Sequence, residues 1–96
     1  MSFYFFAQIK INDKAEYQKY IDKAGDIFMK YNGEYLSVDN EPDILEGKWD
    51  YSRAVLIVFK GKEDFDAWYN SDEYKEILTH RLNAADCDSI LIKGLD

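Results

Sequence analysis

The chain has 96 residues, which suits a single domain spanning residues 1–96. A domain of this size buries only about 60–65% of its unfolded surface, so its core is thin. With 19 acidic against 12 basic residues, the formal net charge is −7. Such a chain repels phosphate backbones and anionic lipids, so we expect no nucleic-acid partner and no membrane-surface role.

Cysteine content and apolar runs point to one compartment. Cys87 is the only cysteine, so no disulfide can form within the chain. No clustered Cys/His set is present for a structural zinc, and the sequence predicts neither a metal nor a cofactor. Phe3 to Ile11 is apolar but short and lacks a basic leader, and no run approaches the roughly 20 apolar residues of a membrane span. We therefore predict a cytoplasmic protein.

The first half of the chain predicts a strand, a helix and a second strand. Phe3 to Ile11 is apolar on both faces at its start, which favours a central, doubly covered strand. Asn12-Asp13 is a helix-start signal, and Gly33 suits the left-handed residue that ends the helix. Glu34 to Val38 is a short second strand. The helix between them carries an apolar stripe at spacings of three and four: Tyr17, Tyr20, Ile21, Ala24, Ile27, Phe28 and Tyr31.

The middle of the chain is less regular until a third strand begins. Pro42 prevents a regular central strand, and Ile44 with Leu45 is expected to resume the second strand after a bulge. Gly47 is predicted to turn the chain. Arg53 to Lys60 holds a continuous β-branched and apolar run, which predicts a strand buried on both faces.

Two helical segments and a last strand complete the sequence. A short helix has Phe65, Trp68 and Tyr69 on one side, and Ser71 is a good N-cap for the helix that follows. Cys87 to Lys93 is the last strand. The second of these helices is predicted to bury Tyr74, Ile77, Leu78, Leu82 and Ala85.

This order of elements, β-α-β-β-α-β, predicts an α+β ferredoxin-like domain with a four-stranded antiparallel sheet and both helices on one side. The other face of the sheet then needs a cover, which in so small a chain only a second subunit supplies. The apolar residues on both faces of the first and third strands therefore predict a homodimer.

Arg81 is the most informative single residue. It lies four residues after Ile77 and seven after Tyr74, in the middle of the apolar stripe of its helix. A charge there must be paired or must reach an opening. Two interpretations are open: a clamp for an anion or carboxylate in a pocket, or a structural salt bridge with Glu46 or Asp39.

Other candidates carry weaker signals. Arg53 begins the most buried strand and either points into a cavity or reaches water at the strand end. His80, the only histidine, is a candidate base, but its place toward the polar side of the helix favours a solvated residue. Cys87 has no nearby basic residue in sequence and is interpreted as a small apolar residue.

Several segments of the chain follow a pattern seen in a known family. The matching segments are Glu46-Gly47-Lys48-Trp49, Arg53, Val55–Phe59, Ala67-Trp68-Tyr69, Ser71, Glu73-Tyr74, Arg81 and Ile92-Lys93-Gly94. In these segments the sequence resembles the domain-of-unknown-function 1330 family; the resemblance covers nearly the whole chain and is most specific in residues 46–81. It implies a dimeric α+β barrel without implying an activity.

The matching positions that we favour as pocket residues are Glu46, Arg53, Ser71, Tyr74 and Arg81. Asp39, Trp49 and His80 are weaker candidates for the same pocket.

Three functions remain open at this stage. The first is an enzyme or binder for a small anionic or oxygenated metabolite, with Arg53 and Arg81 holding a carboxylate and Tyr74 donating a hydrogen bond. The second is a non-catalytic dimeric module whose charged cluster only fixes the fold. The third is a cofactor-free monooxygenase, which needs a hydrophobic cavity and a base, and His80 is the candidate for that base.

Overall fold

The computed structural model describes the whole chain, Met1 to Asp96. Its four strands form one antiparallel sheet in which the first strand lies between the third and the fourth, and the second strand pairs with the third, the ferredoxin-like arrangement. The predicted fold is therefore confirmed, including the two helical segments between the third and fourth strands. The elements are β1 Phe3–Ile11, α1 Lys14–Met29, β2 Gly33–Asp39, β3 Arg53–Phe59, α2 Lys62–Tyr69, α3 Asp72–Ala84 and β4 Ala85–Lys93.

Alternation along the central strands divides the sheet into two faces. In β3 every second residue from Arg53 to Phe59 is buried, and in β1 the buried positions are Phe5, Ala7 and Ile9. These positions are paired across the two strands, so they share the face on which the helices pack. The core cluster consists of this face together with buried residues of α1, α2 and α3.

Local signals set the helix boundaries. Asp13 accepts a hydrogen bond from the Glu16 backbone N–H at 3.1 Å and so caps α1, as predicted. The left-handed residue after this helix is Asn32, with φ 63°, and not Gly33 as predicted. Gly33 serves a different purpose, because a Cβ there would lie 2.7 Å from the Phe59 ring and 2.8 Å from the Phe28 ring.

Two other predictions of local structure are wrong. Ile44 and Leu45 do not resume a strand, since residues 40–52 form an irregular connection, and the side chain of Leu45 is almost fully exposed. Gly47 turns this connection with φ 85°. Leu82 is exposed because the buried stripe of α3 runs through Ile77, Arg81 and Ala84, which points Leu82 to the opposite side.

The second face of the sheet is not covered by the chain. It presents Tyr4 and Phe6 of β1, Leu56 and Val58 of β3 and the exposed isoleucines of β4. The molecule is correspondingly thin, with principal extents of 32 × 31 × 15 Å. An apolar sheet face of this kind is typical of an interaction surface.

Candidate functional site

Two buried arginines lie between the helices and the sheet. Arg53 begins β3, and Arg81 lies in the last turn of α3; their exposed fractions are 9% and 5%. Neither guanidinium lies within 4.0 Å of a carboxylate, so the salt bridges to Glu46 or Asp39 that were one interpretation are not formed. Because a buried charge is normally paired, this pair of residues is the unexplained feature of the core.

The partners that the two guanidiniums do have are weak. Arg53 donates from Nη1 to Asn40 Oδ1 at 3.3 Å, and Arg81 donates from Nη1 to the sulfur of Cys87 at 3.6 Å. Each guanidinium also stacks near a tyrosine ring: Arg53 lies 5.8 Å from the centre of Tyr17 and Arg81 lies 5.7 Å from that of Tyr20. The Nε atoms of both arginines are buried and have no hydrogen-bond partner.

Both arginines line one small enclosed space, which we call the inner cavity. It has a volume of about 20 Å³ and is bounded by α1, the helix-facing side of the sheet and Arg81. Trp68 also lines it, and its Nε1 is a third buried donor without a partner. Because no acidic residue contributes to the lining, the inner cavity offers donors and positive charge in an otherwise apolar wall.

The acidic groups near the arginines stay protonated at neutral pH. Burial raises the pKa of Tyr17, against the opposing effect of both guanidiniums, and burial raises the pKa of Tyr74 to about 12. Burial likewise raises the pKa of Tyr20 and of the Cys87 thiol. None of these groups therefore supplies a negative charge, and the two arginine charges are uncompensated by the chain.

A larger opening, which we call the outer cleft, lies against Arg53. Its volume is about 480 Å³, within the usual range for small-molecule sites. Tyr17, Ile21 and Arg53 line both the outer cleft and the inner cavity, so the two spaces adjoin at these side chains. The other lining residues of the outer cleft are Ile11, Lys14, Gln18, Asn40 and Ser52.

The outer cleft is positive although the protein is acidic. Its lining includes Lys14 and Arg53 but no aspartate or glutamate, whereas the whole chain carries a formal net charge of −7. Lys14 has no carboxylate within 4.0 Å, in contrast to Lys10, Lys19 and Lys30, which are each paired. The unpaired cations favour a negatively charged occupant.

Tyr74 and Ser71 do not reach these spaces. Tyr74 is fully buried, and its hydroxyl is 2.8 Å from that of Tyr20, which does line the inner cavity. Ser71 caps α3: its hydroxyl accepts from the Tyr74 backbone N–H at 3.1 Å and donates to the Trp68 carbonyl at 2.8 Å. The serine hydroxyl is thus occupied by helix capping, which explains its place in the motif.

The remaining candidates line neither the inner cavity nor the outer cleft. Glu46 and Trp49 line a separate depression formed by residues 42–49 of the β2–β3 connection. Asp39 ends β2 and accepts a hydrogen bond from the Glu41 backbone N–H at 2.8 Å. His80 contacts Glu16 between α3 and α1, and this hydrogen bond, followed by that from Lys19, lowers the pKa of Glu16. His80 is therefore not at the inner cavity, where the oxygenase hypothesis required a base.

Sequence reasoning missed several lining residues of the outer cleft. Lys14, Gln18, Asn40 and Ser52 come from three separate stretches, and only the folded chain brings them together. A signal for part of the site was present in α1, where Tyr17 and Tyr20 lie in the apolar stripe. A buried tyrosine hydroxyl usually requires a polar partner, so two of them in one stripe indicate polar groups in the core.

Nearly the whole chain matches the model of one protein family. The model of a domain of unknown function, DUF1330, matches residues 2–95. The chain belongs to this family. No curated protein matches it by sequence. The resemblance found in the motifs of the second half is therefore confirmed over nearly the whole length.

Solved structures show the same fold at low sequence identity. A protein of unknown function from Rhodopseudomonas palustris has a TM-score of 0.85 at 17% identity, covering 99% of this chain and 83% of that one. The cofactor-independent oxygenase SnoaB from Streptomyces nogalater has a TM-score of 0.72 at 12% identity, covering 99% and 94%. A dimeric ferredoxin-like protein of unknown function from Thermobifida fusca has a TM-score of 0.71 at 15% identity, covering 98% of this chain and 92% of that one. These structures establish the architecture and not an activity.

Two further structural findings concern metal ions and membranes. No three His, Cys, Asp or Glu side chains gather as they would around a metal ion. None of the three helices has the length and apolarity that crossing a bilayer requires.

Proposed function

We propose that this protein binds a small organic acid in the outer cleft, with the acidic group of the ligand held by Arg53. The observation that carries the proposal is the burial of Arg53, 9% exposed, at a cleft whose lining contains no carboxylate. A guanidinium binds a carboxylate through two parallel N–H donors, and the one hydrogen bond that the Arg53 guanidinium makes within the chain is from Nη1 to Asn40. The ligand would supply the negative charge that the chain itself does not.

The rest of the outer cleft suits such a ligand. Lys14 provides a second positive charge at the opening, while Ile11 and Ile21 provide apolar surface for the carbon skeleton. The Tyr17 hydroxyl is a further hydrogen-bond donor. Burial raises the pKa of Tyr17, although the charges of both arginines oppose this effect, so the hydroxyl keeps its proton. A volume of about 480 Å³ accommodates a small metabolite.

The geometry favours ligand binding, and we assign no reaction to the site. The linings of the inner cavity and the outer cleft contain no histidine, aspartate or glutamate. A cofactor-free oxygenase would require a base there, and His80 lies elsewhere, in contact with Glu16. The fold shared with SnoaB does not supply this base.

The test is calorimetric titration with matched acids and amides. Benzoate and succinate would be compared with benzamide and succinamide, which have the same skeletons without the charge. We expect the acids to bind at least about tenfold more tightly, because hydrogen bonds to a charged group are worth about 1.5–3 kcal/mol. Arg53→Met should abolish this preference, and Lys14→Gln should weaken it.

The control variant is Lys62→Gln, which removes a positive charge at the start of α2, away from the lining of the cleft. It should bind the acids like the unchanged protein. If the amides bind as well as the acids, or if Arg53→Met binds them undiminished, the proposal fails. It also fails if no member of a broader panel of carboxylates and other oxyanions binds.

We further propose that the protein is a homodimer whose subunits meet through the uncovered face of the sheet. Tyr4, Phe6, Leu56 and Val58 give this face the apolar character that a second copy would cover. The Thermobifida fusca relative by fold is described as dimeric. Size-exclusion chromatography with light scattering should give a mass twice the 11.3 kDa of one chain, and a monomer at micromolar concentration would contradict the proposal.

A further inference from the structure

The inner cavity poses a question that an organic acid in the outer cleft does not answer. Arg81 is 95% buried and lines only the inner cavity, whereas Arg53 lines both spaces. An acid held outside by Arg53 would leave the Arg81 charge deep in the core without a counter-ion. Isolated buried charges are costly, by several kcal/mol for each ion, so some compensation is expected there.

The size of the inner cavity restricts what can occupy it. Its volume of about 20 Å³ is enough for one water molecule, for which about 10–15 Å³ is required, but not for a carboxylate with its carbon skeleton. Phe28, Ile57 and Trp68 are among the side chains that close it, and all three are nearly fully buried. Because interiors are closely packed, this space cannot expand without displacing core residues. The candidates are therefore a water molecule and a monatomic ion.

The chemistry of the lining distinguishes between these two. The unpaired groups are all donors: Nε of Arg53, Nε of Arg81 and Nε1 of Trp68. The tyrosines that line the cavity are neutral, since burial raises the pKa values of Tyr17 and Tyr20. A water molecule would satisfy hydrogen bonds but would leave the two positive charges of the cavity lining without a counter-charge. A monatomic anion accepts the same hydrogen bonds and also offsets the charge.

We propose that the inner cavity is a halide site, occupied by chloride held between the guanidiniums of Arg53 and Arg81. The proposal goes beyond organic-acid binding, because it assigns a permanent ion to a space that no organic ligand fits. The chloride would let the core tolerate an arginine in the apolar stripe of α3. It would also fix the Arg53 side chain at the boundary with the outer cleft.

The first measurement is thermal unfolding at constant ionic strength. Chloride would be raised from about 1 to about 200 mM in place of isethionate, whose two-carbon sulfonate is too large for the inner cavity. If folded protein alone binds chloride, the unfolding midpoint should rise by about 5 °C or more over this range. An unchanged midpoint would overturn the proposal, because it would mean that a water molecule or nothing fills the cavity.

Variants then locate the ion. Arg81→Met keeps the apolar stem of the side chain and removes its charge, so the chloride dependence should be lost. Lys14→Gln removes a positive charge that lines the outer cleft but not the inner cavity, so the dependence should remain. The reverse result, with dependence kept in Arg81→Met and lost in Lys14→Gln, would place the anion in the outer cleft and overturn the halide site.

A structural measurement covers the case in which Arg81→Met does not fold. Bromide scatters anomalously and replaces chloride, so crystals of the unchanged protein grown in bromide should show an anomalous peak within the inner cavity. No peak there would overturn the proposal. The bromide crystals contain no organic acid, so the absence of a peak leaves the titrations with benzoate and succinate as a separate test of the proposed function.

Discussion

The core between helices and sheet has two ends that are built differently. The aromatic end consists of Phe5, Phe59, Phe65, Trp68 and Tyr69, and the arginine end of Tyr17, Tyr20, Arg53, Arg81 and Cys87. In the aromatic end the rings contact one another, with centroids 5.3 Å apart for Phe59 and Trp68 and 5.5 Å for Phe5 and Trp68. The arginine end contains a cavity and adjoins an open cleft.

The same strand supplies both ends, since β3 runs from Arg53 to Phe59. The difference therefore lies in what the helices place against it. Around Phe59, α2 brings the large rings of Phe65 and Trp68, and aromatic packing of this kind stabilises a small domain. Near Arg53, α1 and α3 bring tyrosines and a second guanidinium, so charge and unpaired donors remain. Stability is concentrated at one end and binding capacity at the other.

The largest expected effect comes from removing the ring at the centre of the aromatic end. Trp68 is 1% exposed and contacts the rings of Phe5, Phe59 and Tyr74, among others. Trp68→Ala should lower the free energy of unfolding by about 3–5 kcal/mol, because it removes this contact area and leaves a cavity. Urea denaturation followed by far-UV circular dichroism measures the change.

The second tryptophan of the chain provides the matched control. Trp49 lies in the β2–β3 connection, and its one close ring contact is with Tyr51 at 5.2 Å. Trp49→Ala should cost no more than about 1 kcal/mol. Equal costs for the two variants would mean that the aromatic end holds no special share of the stability, and the comparison between the ends would be wrong.

The fold could be predicted from sequence because its signals are local and repeated. The continuous apolar run from Ala54 to Phe59 and the three-and-four spacing from Tyr17 to Tyr31 each span several residues, and the caps Asp13 and Ser71 fit their helices. The predictions of local structure fail where a single tertiary contact determines which residue is required. Gly33 is required by the rings of Phe28 and Phe59 and not by its backbone conformation, which a single sequence does not reveal.

The site was predictable only in part. Arg81 stands out because a charge interrupts an apolar stripe, and Arg53 because it begins a buried strand. Whether each was paired depended on where Glu46 and Asp39 lay, and Glu46 lines a separate depression of the β2–β3 connection. Lys14, Asn40 and Ser52 meet at the outer cleft only after the sheet forms. Which charges are paired and which side chains meet depends on the tertiary structure, so the periodicity of the sequence does not reveal it.

A smaller effect is expected where the two ends meet, at the hydroxyl pair of Tyr20 and Tyr74. Tyr74 packs on Trp68 with ring centroids 4.2 Å apart and shares a hydrogen bond of 2.8 Å with Tyr20, whose ring lies beside Arg81. Tyr74→Phe should cost about 1–2 kcal/mol of unfolding free energy, because it leaves the Tyr20 hydroxyl without its partner.

The double variant shows whether this hydrogen bond couples the ends. If the hydroxyls act as a pair, changing both Tyr20 and Tyr74 to Phe should cost less than the sum of the single changes by at least about 0.5 kcal/mol, as measured by urea denaturation. Tyr31→Phe serves as the control, since Tyr31 packs against the core outside this pair, and should change stability by less than about 0.5 kcal/mol. Strict additivity of the two changes would instead mean that each hydroxyl acts alone. The aromatic end would then support the arginine end through ring packing only, with Trp68, which lines the inner cavity together with Arg81, as the contact between them.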